Sequence, residues 1–180
     1  YFPSGVYTVS DTITYTLPDL KNILYSKPCS ELCRGIRIMG ESMDSVTVRL
    51  VDNANGFEKG SLKPIFSYNN HSNFFKCEST NVAQNNTFED ITVDCGSGNP
   101  GAVGVRFQAS NSGRIQNVSF KAKDGYCGVM LGIETEVSIK NVCCEGFDYA
   151  FSTFNSSICV LQDIEASRNF KAAIHSGNSC

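Results

Sequence analysis

No apolar run in these 180 residues approaches the ~20 needed to cross a bilayer, and the stretch Gly128-Val129-Met130-Leu131-Gly132-Ile133 is only strand-sized. A soluble chain with no membrane span is expected. No basic cluster could track a phosphate backbone, since 15 Lys and Arg stand against 18 Asp and Glu, for a net charge of -3. Nucleic acid is therefore not an expected partner. Histidine occurs twice, at His71 and His175, far apart and without ligand-like spacing, so neither a metal nor another cofactor is expected. A Gly-rich phosphate loop and a Gly-x-Ser-x-Gly elbow are also missing. The N-terminus has neither an initiator Met nor a basic-then-apolar leader, and Tyr1-Phe2-Pro3-Ser4-Gly5-Val6-Tyr7-Thr8-Val9 reads as strand, Pro-x-Gly turn, strand. The expectation is one domain over residues 1–180, with residues missing at both ends.

What the chain does contain is cysteine. Nine in 180 residues exceed what a reduced cytosolic domain usually carries, and they lack the paired spacings of a zinc site. Disulfides in a secreted, extracellular protein are the expected reading, with Cys29 and Cys33 close enough in sequence to bridge. Cys159 and Cys180 form a weaker candidate pair. Four Asn-x-Ser/Thr acceptors, at Asn70, Asn85, Asn117 and Asn155, point to the same compartment.

The second half repeats itself. Phe88-Glu89-Asp90-Ile91-Thr92-Val93, Ile115-Gln116-Asn117-Val118-Ser119-Phe120, Ile139-Lys140-Asn141-Val142-Cys143-Cys144 and Leu161-Gln162-Asp163-Ile164-Glu165-Ala166 share one pattern: apolar, polar, Asx, then apolar-x-apolar. The Asx positions are 27, 24 and 22 residues apart, and Val105, Val129 and Phe151 each lie 12 residues before theirs. A constant offset between two motifs, with a loop of variable length between units, identifies stacked coils and disfavours four unrelated turns of a β-sandwich. Period-two alternation rich in Val, Ile and Phe makes the coils strands. The expected inward residues are Val105, Phe107, Val129, Leu131, Phe151, Val118, Phe120, Val142, Cys144, Ile164 and Ala166. The Asx residues would sit in a corner column, because a short polar side chain tolerates the left-handed backbone and bonds its neighbours. A glycan on Asn117 would forfeit those bonds, so Asn117 is expected bare and Asn70, Asn85 and Asn155 occupied. In the first half, Gly35–Gly40 and Ser45–Leu50 suit an earlier coil, and Asn53–Ser72 reads as an inserted loop.

Phe2-Pro3-Ser4-Gly5-Val6-Tyr7, Arg34-Gly35-Ile36-Arg37-Ile38-Met39-Gly40, Asn86-Thr87-Phe88-Glu89-Asp90-Ile91-Thr92-Val93-Asp94 and Gly98-Asn99-Pro100-Gly101-Ala102-Val103-Gly104-Val105 resemble the pectate-lyase-like superfamily. The likeness is closest to the group related to polygalacturonases, rhamnogalacturonases and fungal exo-β-1,3-glucanases. It implies an all-β fold, a right-handed parallel β-helix, and partners among polysaccharides or cell-wall glycans. The Asn-Thr-Asp, Asp-Asp, Gly-His-Gly and Arg-Ile-Lys motifs of polygalacturonase-type hydrolases do not occur here, nor does an acidic calcium cluster with a catalytic Arg.

Under the coil register, Arg106, Met130, Ser152 and His175 are the outward positions of the first strand, with Gln108, Gly132 and Phe154 one step along. The resemblance places a sugar cleft on that face and makes Arg106, Gln108, Glu134 and His175 candidate contacts, while Phe154 could stack on a sugar ring. Glycoside hydrolysis needs two carboxyl groups, and Asp124, Glu134 and Asp148 are available, but no pair stands out. The catalytic residues of a glycoside hydrolase or polysaccharide lyase are thus not identifiable. Two readings remain: a secreted polysaccharide-active or polysaccharide-binding glycoprotein, and a noncatalytic structural, adhesive or filament-forming glycoprotein that self-associates through its coil ends.

Overall fold

The computed structural model describes residues 1–16, 35–69, 71–72, 77–78, 84–109, 111–132, 135–153 and 158–176. Among these residues there is no helix, and the strands are β1 (Gly5–Val9), β2 (Ile13–Thr16), β3 (Arg37–Met39), β4 (Val46–Leu50), β5 (Lys63–Asn69), β6 (His71–Ser72), β7 (Cys77–Glu78), β8 (Thr87–Asp94), β9 (Ala102–Phe107), β10 (Gly113–Leu131), β11 (Glu136–Thr153), β12 (Ile158–Ser167) and β13 (Ala172–Ser176). Apart from the antiparallel pair β6–β7, every pairing is parallel.

The pairings form two columns. One runs β1–β4–β8–β10–β11–β12, and the other runs β2–β5–β9 into the second halves of β10 and β11 and on to β13. Parallel strands stacked coil on coil around one core make a parallel β-helix. Phe66, Val105, Val129, Phe151 and Ile174 align across the second column, as the 12-residue offset requires. In the first column Ile91, Val118, Val142 and Ile164 are partners.

The corner is built by the Asx residues. Asp90, Asn117, Asn141 and Asp163 have φ of 58, 53, 51 and 54°, all left-handed. Asn117 Nδ2 donates to Asp90 Oδ1 at 2.8 Å, and Asn141 Nδ2 donates to Asn117 Oδ1 at 2.9 Å, so the side chains form a ladder along the stack. The left-handed residue also resets the alternation. Ile115 and Val118, three apart, both point inward, as do Ile139 and Val142. The first apolar residue of each motif therefore joins the core, which the period-two reading had not assigned.

Inside, rings stack from coil to coil: Phe66–Phe88 centroids are 5.0 Å apart, Tyr68–Phe107 4.9 Å and Phe88–Phe120 6.2 Å. Of the expected inward residues, all are buried except two. Ile164 is half-buried and Ala166 exposed, because no described coil packs over β12. Cys144 is inward and fully buried, as expected.

Two expectations change. The segment expected as an inserted loop at Asn53–Ser72 contains β5, whose Ile65, Phe66 and Tyr68 are buried and whose Phe66 pairs with Val105; the loop proper is shorter. The reason lies in packing, since these apolar residues fill the coil beneath β9. Cys95, Cys127, Cys143, Cys144 and Cys159 are free thiols, so the described cysteines make no bridge to one another. Three of them, Cys95, Cys127 and Cys144, are packed as small apolar residues. Cys29, Cys33 and Cys180 lie outside the described residues. No described helix is long and apolar enough to cross a membrane.

Candidate functional site

Strict alternation would send Val103, Val105 and Phe107 to one face. Instead Gly104 and Val105 both face the core: a Cβ on Gly104 would lie 2.4 Å from Phe120 Cδ1. The next two coils do the same. A Cβ on Gly128 would lie 2.7 Å from Cys144 Sγ, and Ala150 is part of the core beside Phe151. Two successive inward residues require the backbone to bend around the core, so the residues flanking the pair converge on the outside.

That convergence creates a second cluster, separate from the core. Val103, Cys127 and Met130 are buried within it at 1, 0 and 7% exposure, under the half-buried rings of Tyr126 and Tyr149. Tyr126 and Tyr149 meet edge to face at 5.5 Å, and His175 stacks on Tyr149 at 4.5 Å with 23° between the planes. Lys171 lies over the Tyr149 ring at 5.4 Å and donates to Asp148 Oδ2 at 2.6 Å. The hydrogen bond to Asp148 raises the Lys171 pKa, so its cation is held over the ring. Burial raises the Tyr126 pKa and keeps its hydroxyl protonated.

The expected outward column exists in register: Arg106 pairs with Met130, Met130 with Ser152, and Ser152 with His175. Its members differ in exposure. Met130 and Ser152 are covered at 7 and 5%, while Arg106 and His175 are half-buried. Ser152 Oγ lies 3.4 Å from His175 Nδ1. Desolvation lowers the Arg106 pKa. Gln108 is enclosed at 2%, with its side chain packed against Gly132, so it is not on the open surface. Glu134 and Phe154 lie outside the described residues.

Asp124 and Asp148, the other acids considered, are not brought together by the structure in one constellation. Asp124 accepts the backbone N–H groups of Gly98 and Asn99 at 3.0 and 3.2 Å, a turn-holding role. Tyr126, Tyr149 and Lys171 are the surface residues that sequence reading missed. A signal was present: Val103, Cys127 and Tyr149 each stand two residues before the inward Val105, Val129 and Phe151, with Gly or Ala between. A small residue repeated at one coil position marks a bend packed tightly against the core.

Parallel coils, an Asx-lined corner and an outer aromatic strip on the bend define a parallel β-helix of the carbohydrate-related class. The family model for rhamnogalacturonase A/epimerase, pectate lyase-like proteins matches residues 1–179, and the chain belongs to that family. Neither the curated proteins nor the solved structures yield a match to it.

Proposed function

We propose that this chain is a secreted, glycosylated β-helix that binds polysaccharide along the strip of Tyr126, Tyr149 and His175. The observation that carries this reading is the Tyr149–His175 stack at 4.5 Å beside Tyr126, which offers half-buried ring faces on a concave outer surface. Such faces cover the apolar C–H side of a pyranose, while Arg106, Ser152 and the pair Lys171–Asp148 supply hydrogen bonds to hydroxyls. Asp148, the carboxylate beside the strip, is occupied by Lys171, so binding is the role that these residues support. The family supports a polysaccharide partner. The sequons and the cysteine content support an extracellular address.

Affinity electrophoresis or calorimetry against a panel of wall polysaccharides tests the reading. Removing one ring face of roughly 55 Å² at about 25 cal/mol per Å² costs about 1.4 kcal/mol, or tenfold in affinity. Tyr149→Ala is expected to show that loss with its fold intact. Polysaccharide binding unchanged in Tyr149→Ala, or absent in the wild-type chain, sinks the proposal.

A second reading, coil-end self-association, draws on exposed apolar residues of the last described coil: Ile158, Val160, Phe170 and Ile174 are 64, 61, 63 and 54% exposed. A second copy stacked there would cover them. Sedimentation over a concentration series, giving a constant monomer mass, would eliminate it.

A further inference from the structure

We infer a second ligand site, across the turn from the aromatic strip and sharing no lining residue with it, that takes the anionic group of a charged sugar, a carboxylate or a sulfate ester. The inference adds to the binding role proposed for the strip and does not depend on it.

Arg49, Asp94, Lys121 and Glu145 are partners in successive strands and form one outward column. With Lys123 and Arg168 they line a cleft of about 490 Å³. Its carboxylates are already engaged. Asp52, on its rim, accepts from Arg49 at 3.3 Å and from Ser97 N at 3.0 Å. Asp94 Oδ1 accepts from Gly96 N at 2.8 Å, and its Oδ2 lies 3.7 Å from Arg49 Nε. Glu145 pairs with Arg168 at 2.9 Å.

The two lysines are not engaged. Lys121 and Lys123 form no ion pair with any described residue, although Lys121 stands in register between Asp94 and Glu145. The neighbouring carboxylates offset part of the field at Lys121, but their own hydrogen bonds and pairs leave both ammonium groups as spare donors. The cleft thus has donors to give and no spare cation requirement.

A second observation comes from the adjoining hollow of about 400 Å³, which shares Ala122, Lys123 and Arg168 with the cleft. Asn169 lines it, and Asn169 Oδ1 is enclosed without a hydrogen-bond partner among the described residues. An enclosed carbonyl oxygen left unpaired is costly, and a hydroxyl donor would satisfy it. Spare ammonium donors beside a lone acceptor match a group carrying both an anion and hydroxyls. An acidic sugar has both; inorganic sulfate lacks the hydroxyl donor.

The test is calorimetric or NMR titration of the whole chain with a uronate disaccharide, a sulfated disaccharide, the neutral disaccharide and inorganic sulfate. At least one charged disaccharide is expected to bind about tenfold or more tightly than the neutral sugar and inorganic sulfate, with affinity falling as salt rises; the arm that binds identifies carboxylate or sulfate. The double variant Lys121→Gln/Lys123→Gln should lose about tenfold with an unchanged circular dichroism spectrum. Tyr149→Ala should bind the charged sugar as the wild type does, which separates this site from the strip. Equal binding of charged and neutral sugars, wild-type affinity in the double variant, a preference for inorganic sulfate, or loss of binding in Tyr149→Ala would each overturn the inference.

Discussion

Replacing Asn117 by alanine removes two ladder bonds and places an ordinary side chain at a φ of 53°. The left-handed backbone costs a residue with a Cβ about 1–2 kcal/mol unless, like Asn, it can bond locally. The bond to the Asp90 carboxylate is charge-assisted and contributes about 1.5–3 kcal/mol, and the neutral bond from Asn141 about 0.5–1.5 kcal/mol. Asn117 is half-buried, so the lower ends apply, and Asn117→Ala should destabilise by about 3 kcal/mol. Asn117→Gly loses the same bonds but relieves the backbone strain, partly offset by the greater freedom of glycine in the unfolded chain, and should lie about 1 kcal/mol above alanine. Urea unfolding followed by circular dichroism, on unglycosylated protein so that loss of the sequon has no effect, measures both. At a slope of about 1–3 kcal/mol per molar, the alanine midpoint should fall by about 1 M or more. Alanine proving at least as stable as glycine, or both lying within about 0.5 kcal/mol of wild type, would refute the corner argument.

Three further outcomes follow from the same coordinates. Gly104→Ala should destabilise by more than about 2 kcal/mol in the same urea assay, because its Cβ would meet Phe120 Cδ1 at 2.4 Å and Gly128 O at 2.5 Å; a wild-type midpoint would show that the bend has room. Burial pushes the Cys159 thiol up to about 11, so its thiolate is about one part in a thousand at pH 8 and iodoacetamide labelling should accelerate about tenfold per pH unit from 8 to 10; peptide mapping that finds it alkylated as fast as a free thiol at pH 8 contradicts this. In protein expressed through a eukaryotic secretory route, Asn85, exposed in a turn, should carry glycan while Asn117 stays bare; glycopeptides with Asn117 occupied and Asn85 empty would reverse that assignment.

The coil architecture was legible in the sequence because the corner demands a residue type. Only Gly, Asn and Asp occupy the left-handed conformation cheaply, so the corner left a repeated Asx with spacings of 27, 24 and 22 residues, and the inward columns follow from it through Val118, Phe120 and Val142. The aromatic strip was not legible. Whether Val103 points in or out depends on how closely Gly104 can approach Phe120 across the core, a contact between residues of different coils that no local pattern encodes. The same holds for β5, whose Phe66 becomes core only once Val105 is stacked above it, and for Gln108, an outward position by alternation that Gly132 of the next coil encloses. Cysteine state and charge balance are tertiary as well. Counting nine cysteines pointed to bridges, whereas Cys95, Cys127 and Cys144 are packed as apolar residues, and the lysine pair in the charged cleft is spare because each carboxylate around it already has a partner. Sequence determines which positions repeat; the distances between coils determine what those positions touch, and hence which of them can meet a ligand.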